Sequence, residues 1–358
     1  MNIEDKMFLV KRKPTEEILT EDELVKLFES EEHPQHYIGF EISGMLHIGS
    51  GLLTAMKIDD FMKAGIKPTI WLADYHSWIN KKLGGDLSMI RDIARGYFKA
   101  GFVSLGLDES KVEYELASEH YDEWYWVKVI EVMKNASIQR MLRCVTIMGR
   151  KETEATEAAA VLYPAMQAAD IFHLKVQLMH AGMDQRKVHV LAREVAEKMR
   201  WSKPVAIHTH LIMGLQGPQK MGFESNEKLD TEVSSKMSKS IPKNCIYIHD
   251  SEKEIKDKID GAYCPEKQAE NNPIIELCEY IIMRDKPMHI ERNKKYGGDV
   301  DYMKFEELRD AYVKGELHPA DLKNAVAKEL ADLLKPSREY FKKHHELLDV
   351  FKEGKITR

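Results

Sequence analysis

Cysteine is scarce: there are four in 358 residues (Cys144, Cys245, Cys264, Cys278), and no two have CxxC spacing. That excludes a zinc ribbon and a thioredoxin-like redox pair. Reduced, buried thiols in a cytoplasmic protein are the expectation. Long apolar runs are also missing. None approaches the ~20 residues a membrane span needs. The opening MNIEDKMFLVKRK carries no apolar h-region, so no signal peptide is expected. Nor is there an excess of basic charge. The 53 Lys and Arg are outnumbered by 59 Asp and Glu, for a net charge of −6. This argues against a cationic coat for nucleic acid and leaves room for a local basic surface. What remains is an ordinary soluble composition, 43% hydrophobic and 31% charged. The length suits two domains, or one large domain with additions.

Thr20 and Glu23 have capping-box spacing, and Leu24, Leu27 and Phe28 follow at helical intervals, which predicts a helix from Thr20. Residues 37–42 read as a short strand, followed by the Ser43-Gly44 turn and a helix from near His47. Residues 68–74 form a second strand, apolar enough to be buried on both faces. Asp86 opens another helix, and 112–116 is a third strand. This alternation predicts an α/β, doubly wound, Rossmann-like parallel sheet with crossover helices.

Residues 120–180 read as a mostly helical insert with an aromatic cluster at Tyr121, Trp124, Tyr125 and Trp126. Strands resume at 176–180 and 205–212. Residues 215–235 are polar and read as a flexible connection. Within it, 222–235 looks like an insertion whose Glu224, Glu227, Asp230 and Glu232 are expected in solvent. Helices dominate after 245, at 252–262, 274–283 and 321–334. The expected domains are an N-terminal helical segment (1–35), a Rossmann-like catalytic domain with its insert (36–242) and a helical domain (243–358).

Two short elements carry the chemistry. Gly44-Met45-Leu46-His47-Ile48-Gly49-Ser50 places His47 and Ser50 between a strand end and a helix start, where free N–H groups suit phosphate. His47 can donate to an α-phosphate that gains charge in a transition state, and Gly49 lets an adenine ring lie close to the backbone. Roughly 190 residues later, Lys236-Met237-Ser238-Lys239-Ser240 offers two long cations on a loop that can close over β,γ-phosphates. Alone, each reads as a plain turn. Paired in a parallel α/β pattern, they point to ATP-dependent activation of a carboxylate.

With these motifs the chain resembles the class I aminoacyl-tRNA synthetases, and within them the archaeal/eukaryotic type of tyrosyl-tRNA synthetase. The segments that carry the resemblance are Tyr37-Ile-Gly-Phe-Glu-x-Ser-Gly44, Leu72-Ala-Asp-Tyr-His76, Tyr163-Pro-Ala-Met-Gln167-Ala-Ala-Asp170, Gly182-Met-Asp-Gln-Arg-Lys187 and Glu316-Leu-His-Pro-Ala-Asp-Leu-Lys323. They span roughly 36–335 in the right order.

The resemblance implies a tyrosine–tRNA ligase that uses ATP with Mg²⁺, holds no tightly bound metal, acts on L-tyrosine and tRNA(Tyr) and forms a homodimer through the 120–180 insert. It assigns the substrate phenol to Tyr37 and Asp170. The substrate's ammonium group and neighbouring atoms fall to Tyr163, Gln167 and Gln185, with Gly39, Glu41 and Ala73 also lining the tyrosine site. It assigns ATP to His47, Gly49, Ser50, Asp184, Lys236, Ser238 and Lys239, with His47, Ser50, Lys236 and Lys239 as the catalytic set. Arg186 and Lys187 are assigned to the tRNA acceptor end. Tyr296, His318 and Asp321 read the first anticodon base, so 243–358 is expected to bind the anticodon. An aromatic face and a carboxylate suit an unpaired base.

The spacings in Tyr163-x3-Gln167-x2-Asp170 put these three side chains on one helix face. A buried Asp170 left without a phenol would be unsatisfied, which penalises phenylalanine. Two residues depart from the pattern. Ser50 stands where the motif has a second histidine, and Trp71 is bulkier than the aliphatic residue expected beside the pocket. By themselves, Arg186 and Lys187 also read as a solvated helix face, His318-Pro-x-Asp321 as a helix start capped by Asp321, His76 and His189 as core histidines, and the basic tail (335–358) as a charged helix. A tryptophan–tRNA ligase of the same fold, a non-catalytic RNA-binding paralogue and a small nucleotidyltransferase are the rival readings.

Overall fold

The computed structural model describes residues 1–150, 157–223, 226–239 and 241–353. Chain contacts divide it into two units. One holds residues 1–44, 55–210 and 346–358; the other holds 45–54 and 211–345.

The first unit is built on a six-stranded sheet. Its strands are β1 (Thr15–Leu19), β2 (Gln35–Phe40), β3 (Lys67–Leu72), β4 (Glu113–Leu116), β5 (Leu178–Gly182) and β6 (Val205–Thr209), in spatial order β1-β6-β5-β2-β3-β4. Five are parallel, and β1 closes the β6 edge antiparallel. Side chains alternate between two apolar layers, as a pleated sheet buried on both faces requires. Tyr37, Trp71, Met179 and Ala206 enter one layer; Leu178, Val205 and Ile207 enter the other.

Strand order reverses between β2 and β5. In such sheets the crevice for a ligand lies outside the carboxyl ends of the strands at that reversal. Here those ends lead to Glu41 and to the turn Met183–Gln185.

The N-terminal 35 residues hold the helices Ile3–Lys11 and Glu21–Ser30 with β1 between them. Thr20 caps the second helix in a full capping box with Glu23. Lys57 is wholly buried and donates to the carbonyls of Leu9, Val10 and Arg12 at 2.9, 2.7 and 3.0 Å. Its ammonium thereby fills the carbonyl-rich end of the first helix.

The second unit is mostly helical, with the hairpin β7 (Met288–Ile290) and β8 (Val300–Tyr302) and the helices Glu252–Asp260, Phe305–Lys314, Pro319–Leu333 and Lys335–Lys343. Lys323 donates to the carbonyls of Asp260 and Ala262 at 3.0 and 2.6 Å, tying two of these helices together. The last helix, Glu346–Glu353, belongs to the sheet unit, where Phe351 meets the Tyr97 ring at 4.9 Å.

Residues 227–235, read as flexible from the sequence, form a helix. Asp230 is buried instead of lying in solvent, and it accepts the backbone N–H groups of Gly222 and Phe223. Two short backbone donors needed an acceptor, and one carboxylate serves both. Glu227 is exposed as expected, and Glu224 lies outside the described residues. Among the described residues, no helix is long and apolar enough to cross a membrane.

Candidate active site

In the sheet unit, the helix Ala159–His173 buries Tyr163, Gln167 and Asp170 on one face. Asp170 is 1% exposed. Its Oδ1 accepts from the Tyr121 hydroxyl at 3.0 Å, while Oδ2 is buried with no hydrogen-bond partner among the described residues. Burial pushes the Asp170 carboxyl well above the usual carboxylate range, against the opposing pull of the Tyr121 hydrogen bond. Around it stand Trp71, fully buried, and His76; among the described residues the Trp71 indole N–H and both His76 ring nitrogens have no hydrogen-bond partner. His76 Nε2 lies 3.9 Å from Asp170 Oδ2, and its ring meets Tyr163 edge-on at 4.6 Å. Burial lowers the His76 pKa to about 4, so the ring is neutral at physiological pH.

Tyr37 is buried on β2, and burial, with the charge of Asp170, raises its phenol pKa well above 10.0. Gly39 lies two residues on. A Cβ there would sit 2.6 Å from the Tyr37 hydroxyl, so only glycine leaves room for that phenol.

Glu41 follows the end of β2. Its Oε1 accepts from Asn80 Nδ2 at 2.6 Å and from the Tyr163 hydroxyl at 3.2 Å, and its Oε2 faces Lys82 Nζ at 3.4 Å. Gln167 Nε2 donates to Gln185 Oε1 at 3.2 Å, and Gln185 Nε2 donates to the Ile147 carbonyl. Ala73 is buried at the end of β3, where its N–H meets the Phe40 carbonyl at 2.9 Å. The proposed tyrosine residues thus form one polar-lined cluster within an apolar core. Asp184 lies in the turn Met183–Gln185 of this unit.

The other unit brings together the two motifs that lie far apart in sequence. Ile48 N–H bonds to the Ile246 carbonyl, and Met237 N–H bonds to the Ile212 carbonyl at 2.7 Å. Ile212 is also the neighbour, at 3.7 Å, of any Cβ placed on Gly49, and the His47 ring would be 3.2 Å away. His47 Nδ1 accepts from the N–H groups of Gly49 (3.2 Å) and Ser50 (3.4 Å). Burial, then the charges of Lys239 and Lys236, lowers the His47 pKa to about 3. A neutral ring whose Nδ1 accepts must carry its proton on Nε2. His47 is therefore a fixed Nε2–H donor.

The helical run begins near His47, as expected, but its first turn is not an ordinary α-turn. A π-helical turn, Gly49–Leu53, precedes the helix Thr54–Lys63, and its first N–H groups are already taken by His47. The ring Nε2–H, and not the N–H groups of Gly49 and Ser50, is the donor this turn leaves open. Ser50 Oγ accepts the His47 N–H at 3.3 Å, so the serine closes the turn. Lys236, Ser238 and Lys239 are partly exposed, and Ser240 lies outside the described residues.

Of the residues assigned to RNA, Arg186 grips Glu17 of β1 through Nε and a terminal nitrogen at 2.8–3.0 Å, and Lys187 donates to Thr146 Oγ1 at 3.1 Å. Glu17, held by His208 and Arg186 against the cost of burial, titrates at about 2. His189 is a core histidine in contact with His208 at 3.0 Å. His318 is exposed and itself caps the helix Pro319–Leu333, accepting from Ala320 N–H. Asp321 lies in that helix's first turn and is not the cap. Proline at the first position explains this, since its ring fixes the helix start one residue after His318. The Tyr296 side chain lies outside the described part. In the basic tail Arg338 is buried against Ala331 and Glu252, while Lys355 and Arg358 lie outside the described residues.

A family model for tRNA synthetases class I (W and Y) matches residues 29–231 and 228–335. The chain belongs to this family. A tyrosine–tRNA ligase of Thermococcus sibiricus is 51% identical over all of both chains. A tyrosyl-tRNA synthetase from Pyrococcus horikoshii, complexed with L-tyrosine, matches with a TM-score of 0.93 at 48% identity, covering 98% of this chain and 100% of that one. A tyrosyl-tRNA synthetase from Archaeoglobus fulgidus, also complexed with L-tyrosine, matches with a TM-score of 0.82 at 37% identity, over 95% and 99% of the two chains.

Within this class I synthetase, sequence reading missed Tyr121, Asn80 and Lys82 as members of the cluster. Tyr121 was visible only as one of four clustered aromatics. Asn80 and Lys82 carry no spacing signal, because loop geometry brings them to Glu41.

Proposed function

We propose that this chain is a tyrosine–tRNA ligase. It activates L-tyrosine with ATP to tyrosyl-adenylate and passes the acyl group to the 3′ end of tRNA(Tyr). Asp170 carries this reading: among the described residues its buried Oδ2 has no hydrogen-bond partner, and a ligand that donates a hydrogen bond can complete it. A phenol hydroxyl can do so, and phenylalanine cannot.

Tyr37 and Asp170 hold the phenol, Tyr163, Gln167 and Gln185 orient the amino end, and Gly39, Glu41 and Ala73 complete the wall. The tyrosine carboxylate attacks the α-phosphorus, and pyrophosphate leaves. His47 Nε2–H donates to the α-phosphate as charge builds, while Lys236 and Lys239 hold the β,γ-phosphates. Gly49, Ser50, Asp184 and Ser238 complete the nucleotide contacts. Mg²⁺ arrives as the complex with ATP, through phosphate oxygens and water. Among the described residues, no group of three His, Cys, Asp or Glu side chains gathers to hold an ion.

Arg186 and Lys187 meet the acceptor end after exchanging their internal partners, and Tyr296, His318 and Asp321 read the anticodon. The enzyme works in the cytoplasm as a homodimer. The support for dimerisation is the apolar outer face of the helix Glu123–Asn135, where Trp126, Val127, Ile130 and Met133 are exposed. Against a second copy, that face would leave water.

ATP–pyrophosphate exchange tests the reading, with tyrosine expected to drive exchange and tryptophan not. Exchange with neither would favour a non-catalytic paralogue, and exchange with tryptophan alone would remove the tyrosine assignment. Asp170→Ala is expected to lower the tyrosine-to-phenylalanine ratio of kcat/KM about ten- to hundred-fold. Light scattering is expected to give about twice the 41.4 kDa chain mass, with Ile130→Asp returning a monomer.

A further inference from the structure

Tyr121 is not among the motif residues, yet its hydroxyl makes the one hydrogen bond under 3.5 Å that the Asp170 carboxyl receives from a side chain among the described residues. The Tyr121 ring is held firmly for this. It stacks on Tyr125 at 3.8 Å and 12°, and Tyr75, Trp126 and Trp71 surround it at 5.7, 6.0 and 6.2 Å. Tyr125 is anchored in turn, its hydroxyl donating to the Met166 carbonyl at 3.3 Å one turn before Asp170.

The torsion that rotates an aspartate carboxyl is soft and two-fold, so the two oxygens of a buried carboxyl are interchangeable unless one is engaged. A donor on Oδ1 ends that equivalence. It leaves Oδ2 toward His76 Nε2, 3.9 Å away, with no hydrogen-bond partner among the described residues.

The geometry points to Tyr121 as a specificity-determining positioning residue: its hydroxyl pins Oδ1 of Asp170 so that Oδ2 is presented to the phenol of the amino-acid substrate. This rests on the tyrosine reading of the site. Without the pin, the carboxyl turns or takes water on either oxygen. The substrate phenol then loses a pre-aimed acceptor, while phenylalanine, which never used that acceptor, loses nothing. Tyr121 touches no reacting atom, so its removal acts on selection and binding and spares the chemical step.

The test is ATP–pyrophosphate exchange by the full chain, with tyrosine and phenylalanine as substrates. Tyr121→Phe keeps the ring stack and removes the hydroxyl. The tyrosine-to-phenylalanine ratio of kcat/KM is expected to fall about tenfold, through a higher KM for tyrosine at near-constant kcat. Replacing Tyr121 with 4-aminophenylalanine restores a donor at the same ring position and is expected to return the ratio to within about threefold of wild type. A purely structural role predicts equal losses for both substrates and an unchanged ratio, which would overturn the assignment. Should Tyr121→Phe fail to fold, the 4-aminophenylalanine protein decides alone: if it folds with a collapsed ratio, the hydroxyl's donor role is excluded. Wild-type protein that shows no tyrosine-dependent exchange refutes the ligase reading itself, a result distinct from any behaviour of the variants.

Discussion

Asp170 and His47 are both buried polar groups, and they are provided for in opposite ways. Asp170 sits in an apolar core with one oxygen bonded by Tyr121 and the other without a hydrogen-bond partner among the described residues. His47 has its ring nitrogen Nδ1 engaged by two backbone N–H groups of its own turn. On the proposed reading, the first arrangement stores selectivity as an unmade hydrogen bond that a substrate phenol completes. On the same reading, the second stores reactivity as a preset donor whose tautomer no longer depends on the ligand. A recognition site gains from being incomplete before binding, because the wrong ligand then leaves a buried group unpaired. A phosphate-facing site gains from being complete, because nothing must reorganise when charge develops.

The contrast is sharpened most by His47→Ala. Exchange is expected to fall about 10²–10³-fold, with the tyrosine-to-phenylalanine ratio unchanged, the reverse of the pattern expected for Asp170→Ala. A changed ratio would show that the two groups are not separable.

Acid comes next. An unfolded histidine titrates near 6.5, whereas burial holds His36 to about 3 and His76 to about 4. The unfolded chain therefore binds more protons. Stability present above pH 6.5 is lost as pH falls toward those lower values. Each such group removes up to about 1.4 kcal/mol per pH unit. Glu17, at about 2, keeps its contribution until pH falls below 4.5, so it stays silent through most of this window. Urea midpoints are expected to stay nearly level from pH 7.5 to about 6.5 and to fall from there to pH 5, and a flat profile below 6.5 would contradict the neutral, buried histidines.

The smallest effect is expected from Asp230→Ala, which strands the N–H groups of Gly222 and Phe223. About 1–2 kcal/mol of stability should be lost in thermal unfolding, with tyrosine selection untouched. An unshifted melting temperature would return Asp230 to the solvent role its charge suggests.

Much of the fold was legible because local signals agreed. The capping box at Thr20 and Glu23, the cap at Asp86 and the β2–β3–β4 alternation all match the elements found. β1 was not legible, since Thr-Glu-Glu-Ile-Leu shows no alternation and its order comes from pairing with β6. Glu17 on that strand looks like a solvent residue until Arg186 and His208 are seen to hold it. The helix Glu227–Ser235 hid behind a polar composition, because what orders it is a set of buried polar side chains, Asp230, Ser234 and Ser235, bonded to the backbone of residues 219–223. At the site, the Tyr163, Gln167 and Asp170 stripe could be read from helical spacing. Tyr121 could not, because its link to Asp170 spans 49 residues and depends on how one loop meets one helix.

Residue type and spacing thus determined by themselves the sheet class, the two short motifs around His47 and Lys236 and the polar face of one helix, since each depends on neighbours within a turn or a strand. The tertiary structure alone decided the protonated nitrogen of His47, the single engaged oxygen of Asp170 and the capture of Arg186 by Glu17. It also grouped residues 45–54 with 211–345. Each of these depends on which distant group fills a hydrogen bond, and a linear pattern does not carry that information.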